Sequence, residues 1–266
     1  MPKISLKGKN LPTSPIRKLS KYATDAKAKG IDVIHLNIGQ PDIETPAKAL
    51  QAIQSFDKNV LAYGPSEGSL AYRQKMCSYF AKHNIEVQPD DILVTTGASE
   101  AIIMTLDCIT NEGDELIIPE PFYANYDTFA AACGVNVVPV SSAIDSNFSL
   151  PPIDKIEGKI NAKTRAIFIC NPNNPTGYVY SEKELNDLAT LVKKHDLFLI
   201  VDEVYREFIY DGAVHHSVLT ISGLEEHAIL VDSMSKRYSM CGARIGCLVS
   251  KNKEVMDAAL KFAQSR

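Results

Sequence analysis

The sequence predicts an α/β protein built on a largely parallel sheet with helices on both faces, and three observations lead there. Short runs rich in Val, Ile and Leu recur without polar alternation, as strands covered on both faces require. Helical patterns fall between these runs. The later runs end in polar, Gly or Pro residues, where open α/β sheets bind their ligands.

Seven runs are expected as strands. In chain order they are DVIHLNIG at 32–39, DILVTTG at 91–97, DELIIPEP at 114–121, VNVVPV at 135–140, RAIFICNPNNPTG at 165–177, LFLIVDEVY at 197–205 and AILVDSMSK at 228–236. SEAIIMTLDCI, after the second, carries a helical pattern. SEKELNDLATLVKKH, after the fifth, opens with Ser181 and Glu184 spaced as a capping box. KEVMDAALKFAQSR is again helical and runs to Arg266. Internal repeats and low-complexity tracts are absent.

The 266 residues suffice for one large domain or two smaller ones with a buried core. A net charge of -4 offers no basic surplus for nucleic acid. The basic start MPKISLKGKN is followed by no apolar signal region, and no run is long enough to span a membrane. The 6 cysteines contain no C-x-x-C pair, which fits reduced thiols in the cytoplasm and argues against zinc. The neighbours His215 and His216 are expected as surface loop residues, since adjacent side chains on an extended segment diverge.

At the strand ends the chemistry-bearing residues converge on one crevice: Gly97, Ala98 and Ser99, then Tyr123, Asn174, Asp202 with Tyr205, and Ser233 with Lys236. None of the 14 glycines stand two or five apart, so both the G-x-G-x-x-G and the P-loop cradle are missing. The turn TTGASEAI still offers backbone N–H groups at a helix start, suited to a phosphate, although Ser99 could equally be an ordinary N-cap. Asp202 follows FLIV directly, so burial should raise its pKa unless a cation is near. It could be a helix cap or a metal ligand, but Glu203 should point to the other face and supplies no second carboxylate. A protonated ring nitrogen is the better partner. An isolated lysine such as Lys236 is most often a solvated loop residue. With Asp202, an anion-binding turn and a flat aromatic at Tyr123, it describes a pocket for pyridoxal 5'-phosphate.

The segments NPNNPTG, VDEVY and SMSKRYSMCGARIG resemble the signatures of fold-type I pyridoxal-phosphate enzymes, the class I/II aminotransferases. The last of them fits S-x-S-K-x-x-x-x-x-G-x-R-x-G at every fixed position, and the likeness runs from SPIRKL to the last residue. The resemblance implies that Lys236 carries the cofactor as an imine and then serves as the base at the substrate α-carbon. Asp202 would hold the pyridinium proton, and Tyr205 with Asn174 the phenolic oxygen. Ala98, Ser99, Ser233, Ser235 and Arg244 would bind the phosphate, and Tyr123 would stack on the ring. Gly39, with Asn174, would meet the substrate, and Tyr63 would reach the phosphate of a partner subunit in a homodimer.

It further implies residues 1–45 as an N-terminal arm belonging to a small domain, residues 46–266 as the cofactor domain, and a chain cut short before the family's arginine for the substrate carboxylate. The activity implied is amino transfer from an L-amino acid to a 2-oxo acid, of the aspartate or aromatic type. A β-elimination lyase or synthase of the same fold is the alternative, and a non-catalytic regulatory domain a more distant one.

Overall fold

The computed structural model describes residues 2–57 and 59–266; Met1, which opens the expected N-terminal arm, and Lys58, in the expected cofactor domain, lie outside the described residues. Seven strands form one sheet: β1 (Ile92–Thr95), β2 (Glu115–Glu120), β3 (Asn136–Ser141), β4 (Thr164–Cys170), β5 (Phe198–Asp202), β6 (Ala228–Ser233) and β7 (Gly246–Val249), in the order β1-β7-β6-β5-β4-β2-β3. β7 pairs antiparallel with β1 and β6, and the remaining pairs are parallel. Six of the seven expected strands are therefore present.

The seventh, over 32–39, is not. That segment pairs with no strand among the described residues, and Ile34 and Leu36 are 79% and 92% exposed. An apolar run becomes a strand only where partner backbone and a burying surface meet it. β7, conversely, was not anticipated, because GCLV is short and owes its state to the two strands that clasp it.

Nine helices are described: α1 (Leu6–Asn10), α2 (Ser20–Ala28), α3 (Ala47–Gln54), α4 (Leu70–Ala81), α5 (Gly97–Ile109), α6 (Asn125–Cys133), α7 (Ile153–Glu157), α8 (Glu182–His195) and α9 (Lys253–Ala263). Helices α1 to α3 bury no residue, and the first buried position of the described chain is Arg73. Strand alternation divides the core into two layers. Ile167, Ile169, Leu199, Val201 and Leu230 pack with Phe80 of α4 and Leu188 of α8. Phe168, Cys170, Ile200, Ile229 and Val231 pack on the opposite side with Ile102 of α5, Tyr126 of α6 and Ala259 of α9.

His215 departs from its expected place on the surface. Its side chain is 8% exposed, and its ring stands 3.3 Å from the Asn171 carbonyl and 3.7 Å from the Glu203 carboxylate. Burial pushes its pKa down. The loop is held against the residue that follows β4, where Asn171 Nδ2 donates to the His216 carbonyl at 3.1 Å, and His216 is half-buried.

The expected capping box forms. Ser181 Oγ accepts from Glu184 N–H at 3.3 Å, while the Glu184 carboxylate accepts from Ser181 N–H at 2.8 Å, from Leu150 N–H at 2.9 Å and from the Tyr178 hydroxyl at 2.9 Å. Ser181→Ala should cost about 1 kcal/mol in urea denaturation. Glu184→Ala should cost more, roughly 2–3 kcal/mol, because it strands several donors at once; equal losses would show that the cap alone matters.

Candidate active site

Register assembles the site at the carboxyl edge of the parallel strands. Gly246 opens β7 and lies opposite both Thr95 of β1 and Ser233 of β6, so three strands meet in one row. A Cβ on Gly246 would stand 2.5 Å from the Gly97 carbonyl carbon and 2.7 Å from Ala98 N, closer than real Cβ atoms approach. Only glycine lets β7 pass this near the turn into α5.

At that turn Gly97 takes φ +76° and α5 begins, with no side chain capping its first N–H groups. Ser99 lies inside the first turn and is not the cap. Gly97, Ala98 and Ser99 therefore present backbone donors at the positive end of a 13-residue helix. The Arg244 guanidinium packs over Gly97, where a Cβ would collide with it. Arg244 itself adopts φ +53°, a conformation rare outside glycine, and its Nη1 donates to the Cys241 carbonyl at 2.9 Å. Ser233 and Ser235 are buried beside it, their hydroxyls 2.7 Å apart. Uncapped helix amides, two hydroxyls and a guanidinium form a donor set for a dianion.

Asp202 ends β5 and points to the same side of the sheet, 5% exposed. Its carboxylate accepts from the Tyr126 hydroxyl at 2.8 Å and from Val204 N–H at 3.2 Å, and no salt bridge reaches it among the described residues. Tyr126 is a member of the site that the sequence reading passed over. The available signal was its place three residues after Tyr123, which stands just before α6 with its carbonyl accepting from Tyr126 N–H at 2.9 Å. Burial and the Asp202 charge hold its hydroxyl protonated, hence a donor.

Tyr123 meets the Tyr126 ring edge-on at 5.4 Å, and its hydroxyl accepts from Asn125 Nδ2 at 2.7 Å. Asn174 Nδ2 donates to the Tyr205 hydroxyl at 3.2 Å. Lys236 Nζ lies 5.9 Å from the Tyr205 ring centroid and donates to the Gly39 carbonyl at 2.7 Å. The same N-terminal stretch is tied down again where Thr45 Oγ1 donates to the Ser239 carbonyl at 2.6 Å. Tyr63 is fully exposed and joins none of these groups. An amine for an aldehyde, a buried carboxylate for a ring nitrogen and a dianion cradle fit pyridoxal phosphate, the cofactor expected from the sequence.

Burial is the main cause that lifts the Asp202 carboxyl to about 6, against the pull of the Tyr126 and Val204 donors; the Asp232 and Glu203 charges add to the rise. An unfolded aspartate titrates near ~3.9. Between those values the folded state binds the extra proton, so this group costs stability as pH rises through the window, roughly 2–3 kcal/mol in all. Denaturation midpoints of the cofactor-free protein should thus lose ground between about pH 4 and pH 6 relative to Asp202→Asn; parallel pH profiles would contradict this.

The model of the family "Aminotransferase class I and II" matches residues 31–265. An aspartate aminotransferase of a Bacillus species is 33% identical over 258 residues, covering 96% of this chain and 65% of that protein. An aromatic-amino-acid aminotransferase of Thermococcus litoralis is 35% identical over 241 residues, 89% of this chain and 60% of that protein. The chain thus spans less than two thirds of these relatives. Among solved structures, the aspartate aminotransferase of Thermotoga maritima superposes with a TM-score of 0.92 at 31% identity, over 98% of this chain and 70% of that one. That of Thermus thermophilus with maleate gives 0.92 at 28% identity, over 100% and 69%. The family match over residues 31–265, the identity to these relatives and the superposition establish that the chain belongs to the class I and II aminotransferase family.

Proposed function

We propose that this chain binds pyridoxal 5'-phosphate and serves the transfer of an amino group from an L-amino acid to a 2-oxo acid, with substrates of the aspartate or aromatic type. The observation that carries the reading is the convergence, at one sheet edge, of Lys236, the buried Asp202 and the cradle of Gly97, Ala98, Ser233, Ser235 and Arg244. The names of its relatives, aspartate and aromatic-amino-acid aminotransferases, support the substrate classes.

When bound, the cofactor supplies an electron sink for the bonds at the substrate α-carbon. The chain supplies the rest. Asp202 would hold a proton on the ring nitrogen, and a cation there returns its lifted carboxyl to the ionised form. Tyr126 orients that carboxylate, and Tyr205 with Asn174 would bond the phenolic oxygen. Tyr123 would stack on the ring. Ser99 adds its hydroxyl to the phosphate cradle. Lys236 would carry the group covalently, and its amine is the base placed to move a proton at the α-carbon. Gly39, whose carbonyl already meets Lys236 Nζ, would line the substrate's side.

A homodimer in which Tyr63 reaches the partner subunit's phosphate would use its full exposure. Residues 1–45 as an arm of a small domain, residues 46–266 as the cofactor domain and a cytoplasmic location complete the proposal; helices α1 and α2, both within residues 1–45, bury nothing, which favours a separate arm.

The test supplies the chain with cofactor, an aspartate or aromatic L-amino acid and a 2-oxo acid, and follows new amino and oxo acids against ammonia. Amino transfer is expected, and ammonia release without transfer would reject it in favour of a lyase. Lys236→Ala should abolish transfer while leaving the circular dichroism unchanged. Asp202→Asn should keep the cofactor yet slow turnover on the order of 10²-fold or more; unaltered turnover would remove Asp202 from its role.

A further inference from the structure

Behind the site, on the opposite face of the sheet, lies a buried cluster of four ions that the proposed chemistry does not use. Glu203 and Asp232 are fully buried, Arg206 is 3% exposed, and the Arg237 side chain is likewise 3% exposed. Arg206 bridges the two acids, donating to Glu203 Oε2 at 2.8 Å and to Asp232 Oδ2 at 3.2 Å. Arg237 donates to Asp232 Oδ1 at 2.7 Å. Both guanidiniums lie over the Tyr79 ring of α4, at 5.8 and 4.3 Å from its centroid.

Each member of this cluster is the chain neighbour of a site residue. Glu203 follows Asp202, Arg206 follows Tyr205, Asp232 precedes Ser233 and Arg237 follows Lys236. In β6, alternation sends Ser233 to the cofactor side and Asp232 to the back, and at the end of β5 it parts Asp202 from Glu203; Tyr205 with Arg206 and Lys236 with Arg237 lie in the turns that follow these strands. The two acids and two arginines balance in charge, and buried ion clusters add little to net stability while fixing geometry.

We propose that Glu203, Arg206, Asp232 and Arg237 are positioning residues that clamp, from behind the sheet, the backbone carrying Asp202, Tyr205, Ser233 and Lys236. The inference rests on the reading of those four as cofactor-holding residues. Asp232 is the hub. Arg206 ties it to the end of β5, and Arg237 ties it to the turn that carries the lysine. Moving either arginine shifts Lys236 relative to Asp202, although neither touches the cofactor.

Three variants, Arg237→Met, Arg237→Lys and the double Asp232→Asn/Arg237→Gln, are compared with the parent by pyridoxal phosphate titration, by the rate of cofactor capture and by thermal melting without cofactor. Arg237→Met leaves Asp232 short of a partner and should both melt earlier and bind the cofactor at least ~10-fold more weakly. Arg237→Lys keeps the charge and should recover part of the affinity. The double variant removes both charges, so its melting should return toward the parent while its cofactor affinity stays at least ~10-fold weaker. Should Arg237→Met fail to fold, the double variant decides. Affinity that recovers together with melting, or binding within about twofold of the parent in both variants, would show a merely structural cluster. A parent chain that takes up no cofactor would overturn the proposed function instead. The clamp would then stand or fall on amide exchange over residues 233–239, which it predicts to quicken in the double variant while β6 holds.

Discussion

The missing side chain at residue 246 is the constraint on which the site depends. Because Gly246 brings β7 against the backbone of Gly97 and Ala98, the start of α5, the end of β6 and the loop bearing Arg244 share one small volume. Any Cβ there would push β7 away from the helix turn. The cradle is thus made of backbone approach first and side chains second, and Arg244 accepts a left-handed conformation to complete it.

From that row outward, strand alternation does the sorting. Even-numbered β5 positions such as Ile200 and Asp202 face α5 and α6, so the same rule that builds the apolar layer delivers one carboxylate into it, under the Tyr126 hydroxyl. The following residue, Glu203, enters a separate polar cluster on the other side. Two adjacent acids therefore live in opposite surroundings. One is lifted by burial and meets no salt-bridge partner among the described residues, and the other is paired with Arg206. A single sheet edge thus carries the residues proposed to hold the cofactor and a buried ion cluster on opposite faces, one residue apart.

Much of this was legible in the sequence. The apolar runs of β2, β4, β5 and β6 are long enough and flanked sharply enough to declare themselves, and the resemblance of the segment from Ser233 to Gly246 to a family signature points to the proposed cradle. What escaped depends on partners distant in the chain. GCLV is a strand because β1 and β6, more than a hundred residues apart from each other, both pair with it. The run at 32–39 has strand composition but no such partner among the described residues. His215 is buried because its loop turns under Asn171 and Glu203, and the bond from Tyr126 to Asp202 joins residues 76 apart. Neither could be read from local pattern, since local pattern gives the face of an element and not what lies opposite it.

The most direct measurement of the account is chemical. The chain is incubated with pyridoxal phosphate, reduced with borohydride, digested and mapped by mass spectrometry. One reduced adduct is expected, on the peptide containing Lys236, because this lysine alone among the site residues offers an amine, held between the Tyr205 ring and the Gly39 carbonyl. An adduct spread over surface lysines, or a Lys236 peptide recovered unmodified, would contradict the site as described.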